Sequence, residues 1–190
     1  MIRIAVVGEI GSGKTHVSKL FGYPVFNADK VVSDIYLKNK KVYNKLKKKI
    51  PGIFSSFPIK KNELIKAVIS KNKNLKTISS IVHPIVRVYL KKFLIKNKDK
   101  KVVVLDIPLF LENKMNIRGD VVIFVNSNKK ERNRRLILRK NFNRKILIKL
   151  KKIQLPIYQK RKKSDFIIDN NFKDKSTRKV VKNILKKILA

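Results

Sequence analysis

The 190-residue chain contains no cysteine, which excludes disulfides, thiolate metal sites and cysteine nucleophiles and suits a reducing compartment. No apolar run approaches the roughly 18 residues a membrane span needs. The apolar stretch at the N-terminus is only six residues long and lacks a small-residue cleavage site, so it does not read as a signal peptide. Glycine is scarce, at six residues, and alanine is few. Acidic residues are scarcer still relative to their opposites: 12 Asp and Glu stand against 49 Lys and Arg, for a formal charge of +37. Aromatic residues make up only 8%, too few for an aromatic-rich nucleic-acid surface. With 43% hydrophobic residues, one domain with a buried core is affordable. These absences lead to the expectation of a soluble, cytoplasmic protein.

The charge has two readings. A polyanionic partner would use it. Compositional drift would also produce it, because Lys, Ile and Asn dominate while Ala and Gly are depleted. The basic segments "KNKKVYNKLKKK", "KNKDKK" and "KRKKSD" lie far apart in the chain. That spread favours drift with a modest preference for anionic ligands.

Short, continuous apolar runs predict strands at 2–7, 23–29, 102–107, 120–126 and 165–169. Helical patterns lie between them: 15–21, a very basic stretch from 30 to about 98, an arginine-studded stretch from 129 to about 152, and 173–189. Pro51-Gly52 and Pro58 mark breaks in the second of these. His83-Pro84 is expected to open a new helix with Ile85, Val88 and Tyr89 on one face. Five buried strands alternating with helices predict an α/β protein with a parallel sheet flanked by helices.

The stretch "GEIGSGKT", residues 8–15, matches G-x-x-x-x-G-K-[ST] in full, after a strand and at the start of a helix. Glycines let main-chain amides turn around phosphates, and a helix start adds unpaired N–H groups. Lys14 would reach the β- and γ-phosphates, and the Thr15 hydroxyl would ligate Mg²⁺. This is a P-loop NTPase site, so the fold class sharpens to that family of folds. A phosphoryl acceptor needs a nearby acid as base or orienter. Asp29, just past the second strand, is placed for that role or for capping the helix that follows. Asp106 ends the third strand. It reads as a turn residue, with a supporting place behind Mg²⁺ as the other reading. Arg132, Arg135 and Arg139 are spaced i, i+3, i+7 and are expected on one face, either facing phosphoryl charge or solvated.

With those residues in hand, nearly the whole chain resembles the dephospho-CoA kinase family. The residues that carry the resemblance are "GEIGSGKT", "NAD" at 27–29, "HP" at 83–84, "DIPLFLE" at 106–112, "RLILR" at 135–139 and "QLPIYQKRKKSDFIIDN" at 154–170. The resemblance implies one kinase domain over 1–190, with a helical substrate-binding part at about 30–98 and a lid at about 129–155. It implies transfer of the ATP γ-phosphoryl group to the ribose 3′-hydroxyl of dephospho-CoA, the last step of coenzyme A biosynthesis.

On the resemblance, Gly11, Ser12, Gly13, Lys14, Thr15 and His16 wrap the ATP phosphates, and Asp29 is the base. Arg139 closes on ATP from the lid, and Asn170 lies toward the adenine. His83, Pro108, Leu109 and Glu112 surround the substrate. The implied partners are ATP, Mg²⁺ and dephospho-CoA, with no specific nucleic acid and no membrane, in a monomer or weak homo-oligomer. The chain departs from the family pattern at His16, Asn27, Ser33, Lys140 and Phe172. Two other readings stay open: another P-loop kinase of a small alcohol or nucleoside monophosphate, and a nucleic-acid-binding protein.

Overall fold

A computed structural model describes residues 1–139 and 142–190. The chain divides into two units, the first formed by Met1–Asn27, Asn97–Asn143 and Leu150–Ala190, the second by Ala28–Lys96 and Arg144–Lys149.

The first unit is built on five parallel strands: β1 (Ile2–Gly8), β2 (Val25–Asn27), β3 (Val102–Asp106), β4 (Asp120–Asn126) and β5 (Phe166–Asp169), in the order β2-β3-β1-β4-β5. Alternation along each strand assigns the faces. Ile4 and Val6 of β1, Val102 and Val104 of β3, and Ile123 and Val125 of β4 form one core. Val17 and Phe21, from and just after α1 (Lys14–Leu20), join it, as do Val181 and Ile184 of α9 (Asp174–Leu189). Both β1 and β3 are buried along nearly their whole length, as continuous apolar runs in a parallel sheet must be. β1 runs between β3 and β4, so the loop after it opens at the carboxyl edge of the sheet, where open α/β sheets bind ligands.

The second strand is shorter than its sequence suggests, because helix α2 (Ala28–Lys38) begins directly after Asn27. The stretch 129–152 is not one helix. It forms α6 (Lys129–Ile137) and α7 (Arg144–Lys152). Leu138 caps α6, the Phe142 N–H donates to the Arg139 carbonyl, and Asn143, a residue type that favours helix starts, precedes α7. α8 (Ile157–Lys162) lies against β1.

The second unit is helical. The long α5 (Asn72–Lys96) packs on α2, α3 (Lys40–Lys49) and α4 (Lys61–Ser70). Pro84 does not open a helix but sits inside α5. The row Asn74, Ile78, Val82, Val86, Leu90 is buried straight through it, at four-residue spacing. Pro84 and Ser80, whose carbonyl loses its N–H partner to the proline, are both on the exposed side, where water can satisfy that oxygen. Packing on one side thus overrides the proline on the other. The buried face is also not the expected one: Val88 and Tyr89 are exposed and Ile85 is half-buried. Lys149 donates to the carbonyls of Val68 and Ile69 at the end of α4, at 2.7 and 3.0 Å. A cation there satisfies carbonyls that the helix leaves open. Among the described residues, no helix is long and apolar enough to cross a membrane.

Candidate active site

The loop after β1 owes its path to glycine. Gly13 adopts φ 90° before α1, and a side chain there would collide with the Asn170 amide. Gly11 adopts φ 86°, and a Cβ on it would lie 2.8 Å from the Leu136 side chain. The loop is therefore enclosed by Asn170 after β5 and by α6.

Lys14 folds back along the loop. Its ammonium donates to the carbonyls of Glu9 (2.8 Å) and Gly8 (3.2 Å), and the residue is buried. The Ser12 side chain is buried as well, and its hydroxyl has no hydrogen-bond partner among the described residues. Asn170 is 2% exposed and donates to the Ser12 carbonyl at 2.9 Å. Its own oxygen accepts from the Phe172 N–H and from Thr177, which ties the start of α9 to the phosphate loop. The side chain of His16 pairs with Asp174 in the first turn of α9, at 3.0 Å.

The end of β3 contributes a buried carboxylate. Asp106, 3% exposed, accepts from the Thr15 hydroxyl and from the Asn27 side-chain amide, both at 2.6 Å. Asn27 and Asp106 are register partners on β2 and β3. The structure thus gives Asp106 a place beside the loop, rather than only the turn role that its position suggests. Among the described residues, no group of three His, Cys, Asp or Glu side chains forms a metal cage. Mg²⁺ does not require one: it binds through one or two protein oxygens, phosphates and water. The Thr15 hydroxyl and the Asp106 carboxylate fit that donor set.

The arginines do not act as one face. Arg139 lies beyond the end of α6 and is exposed. Arg135 stacks on the Phe172 ring, 4.4 Å from its centroid, while Phe172 itself holds φ 61°. That φ lies in the left-handed region, which favours glycine. Arg132 is 5% exposed and pairs with Glu9 at 2.7 Å. Sequence reasoning did not find that pair. The available signal was Glu9 itself, a carboxylate inside a phosphate loop, which calls for a nearby counter-ion.

Of the residues expected around the substrate, Pro108 and Leu109 are half-buried in the turn after β3, between the buried Ile107 and the buried Phe110 and Leu111. Glu112 forms an ion pair with Lys160 at 2.7 Å and accepts from the Leu155 N–H at 3.0 Å. The Lys160 side chain is 2% exposed and that of Glu112 9%. Breaking a buried pair by removing one charge is costly. Glu112→Gln should therefore lower stability by about 3 kcal/mol. A chemical-denaturation midpoint like that of the wild type would show that the pair carries little.

In the second unit, His83 lies half-buried within α5. Burial, reinforced by the Arg87 charge, holds its imidazole below the usual histidine range. Asp29 is exposed in the first turn of α2, two residues past Asn27, which stands at the capping position. Ser33 is exposed further along the same helix, and Lys140 lies outside the described residues.

A parallel sheet in this order, with a phosphate loop after its central strand and a hydroxyl–carboxylate pair beside it, defines a P-loop kinase fold. Solved structures agree. One from Thermus thermophilus is 28% identical and covers 98% of this chain and 97% of its own, with a TM-score of 0.78. A dephospho-CoA kinase from Campylobacter jejuni, 22% identical, covers 98% of this chain and 96% of its own and shares the fold at a TM-score of 0.62. The family model for dephospho-CoA kinase matches residues 2–176. A curated dephospho-CoA kinase from Wolbachia pipientis is 35% identical, covering 96% of this chain and 95% of its own. The chain belongs to the dephospho-CoA kinase family.

Proposed function

We propose that this chain transfers the γ-phosphoryl group of ATP to the ribose 3′-hydroxyl of dephospho-CoA, giving coenzyme A and ADP. The observation that carries the reading is the 2.6 Å contact of the P-loop Thr15 hydroxyl with the strand-end Asp106 carboxylate, in a chain of this family. In P-loop NTPases a loop hydroxyl and a strand-end aspartate hold Mg²⁺. Here Thr15 and Asp106 would hold it, and the ion would supply positive charge between the phosphates.

Each remaining residue then has a role. The loop amides around Gly11, Ser12 and Gly13 bind the phosphate chain, and Lys14 binds the transferring end. His16 and Asn170 fix the loop against the start of α9, a placement their contacts with Asp174 and Ser12 support. Asp29 takes the proton of the 3′-hydroxyl as the oxygen–phosphorus bond forms and the bond to the β-phosphate oxygen breaks. Arg139 meets the developing charge from a lid at about 129–155. Residues at about 30–98 bind the acceptor, with His83, Pro108, Leu109 and Glu112 around it.

The protein works in the cytoplasm as a monomer or weak homo-oligomer, without a specific nucleic-acid partner. Two arginines that a nucleic acid would otherwise claim are engaged, Arg132 by Glu9 and Arg135 by Phe172.

The test is ADP release with ATP, Mg²⁺ and one acceptor at a time: dephospho-CoA, AMP, CMP or shikimate. Release should be fastest with dephospho-CoA, with coenzyme A as the product. Release no faster than without acceptor would overturn the assignment, and a preference for AMP, CMP or shikimate would reassign the acceptor.

A further inference from the structure

A phosphate loop gains nothing from a carboxylate, yet Glu9 occupies its second position. Its charge would oppose the polyphosphate that the loop holds. The structure answers it with a cation from outside the loop. Arg132, on α6, brings its guanidinium 2.7 Å from the Glu9 carboxylate. Exposure is 6% for the arginine side chain and 20% for the glutamate, so water screens the pair little. The same guanidinium donates to the Ser127 carbonyl at 3.0 Å, which fixes its orientation. Its stem passes beside the loop: a Cβ on Gly11 would lie 3.1 Å from Arg132 Cγ.

Glu9 also has a main-chain role. Its carbonyl accepts from Lys14 Nζ at 2.8 Å and from the Ser12 N–H at 3.2 Å. One residue therefore carries the anchor of the P-loop lysine on its backbone and the contact with Arg132 on its side chain. Holding the side chain holds the carbonyl.

We propose that Arg132 is a positioning residue for the phosphate donor. It cancels the Glu9 charge and fixes the loop segment on which the Lys14 ammonium rests. It does not itself touch the phosphates. This rests on the reading that residues 8–15 bind a nucleoside triphosphate, and it goes beyond that reading by assigning a second cation to donor affinity through a carboxylate.

The test is a two-residue cycle read by calorimetric titration with ATP and Mg²⁺, beside thermal melts. Arg132→Met keeps the apolar stem and removes the charge. It should raise the ATP Kd by about tenfold or more, because a partly buried carboxylate, 20% exposed, is left unpaired beside the phosphates. Glu9→Gln in the Arg132→Met background removes that carboxylate and should bring the Kd back to within about threefold of the wild type. Arg132→Lys, which keeps the charge, should fall between the two.

A role in packing alone predicts no rescue by Glu9→Gln, so a double variant as weak as Arg132→Met would overturn the proposal. So would wild-type affinity in Arg132→Met. Should Arg132→Met not fold, the double variant still decides: near-wild-type affinity in a folded double supports charge cancellation, and loss of folding or binding there overturns it. A wild-type protein that fails to bind ATP would instead overturn the P-loop reading and this inference with it.

Discussion

Lys14→Ala should lower turnover by about 10²- to 10³-fold, roughly 3–4 kcal/mol, while the protein stays folded. The chain has many lysines, and this one differs by where its ammonium is held. Its Nζ lies in the curve of the loop against the carbonyls of Gly8 and Glu9, on a residue buried to 9% exposure. A donor fixed in a water-poor loop stabilises charge that develops in the transition state far more than a solvated lysine can. Exposed Lys98 provides the control. Lys98→Ala should leave turnover unchanged, since a solvated surface charge is screened by water and salt. Steady-state rates for the two variants, with thermal melts to show that both are folded, make the comparison. Similar losses at the two positions would mean that the loop does not handle the transferring phosphate.

What the sequence disclosed and what it hid follow from how far each signal reaches along the chain. β1 and β3 were legible because a strand buried on both faces reads as an unbroken apolar run. The phosphate loop was legible because all its residues are local. Asp106 was legible only as one of two readings, because the partner that decides between them, Thr15, stands 91 positions away. The arginine spacing misled for a different reason. The i, i+3, i+7 rule holds only while the helix lasts, and α6 ends at Ile137. Pro84 misled because propensity is local, whereas the buried row from Asn74 to Leu90 is a tertiary demand. The Glu112–Lys160 and Glu9–Arg132 pairs were hidden by abundance, since among 49 basic residues composition does not say which one faces a given carboxylate.

Asp29→Asn should lower kcat by roughly 10²-fold or more, the scale of a positioned acid–base group. The proposed role requires a carboxylate that accepts the proton of the 3′-hydroxyl. Asparagine keeps the size but takes no proton at neutral pH. The structure narrows the competing explanation. Asp29 is in the first turn of α2, which directly follows Asn27, and Asn27 itself bonds Asp106. A carboxylate in that turn also favours the helix dipole, so the substitution should cost about 0.3–1 kcal/mol of stability, too little to unfold the protein or to imitate a catalytic loss. ATP affinity should stay near that of the wild type, and dephospho-CoA affinity should change less than kcat, because the loss falls on the transition state. Asp106→Asn gives the contrast. It alters the carboxylate that Thr15 and Asn27 share, so its defect should shrink as Mg²⁺ is raised, whereas that of Asp29→Asn should not. Turnover measured across a Mg²⁺ series for both variants separates the two aspartates. If Asp29→Asn keeps most of its turnover at every Mg²⁺ level, Asp29 serves the helix alone, and the search for the base moves to Asp106.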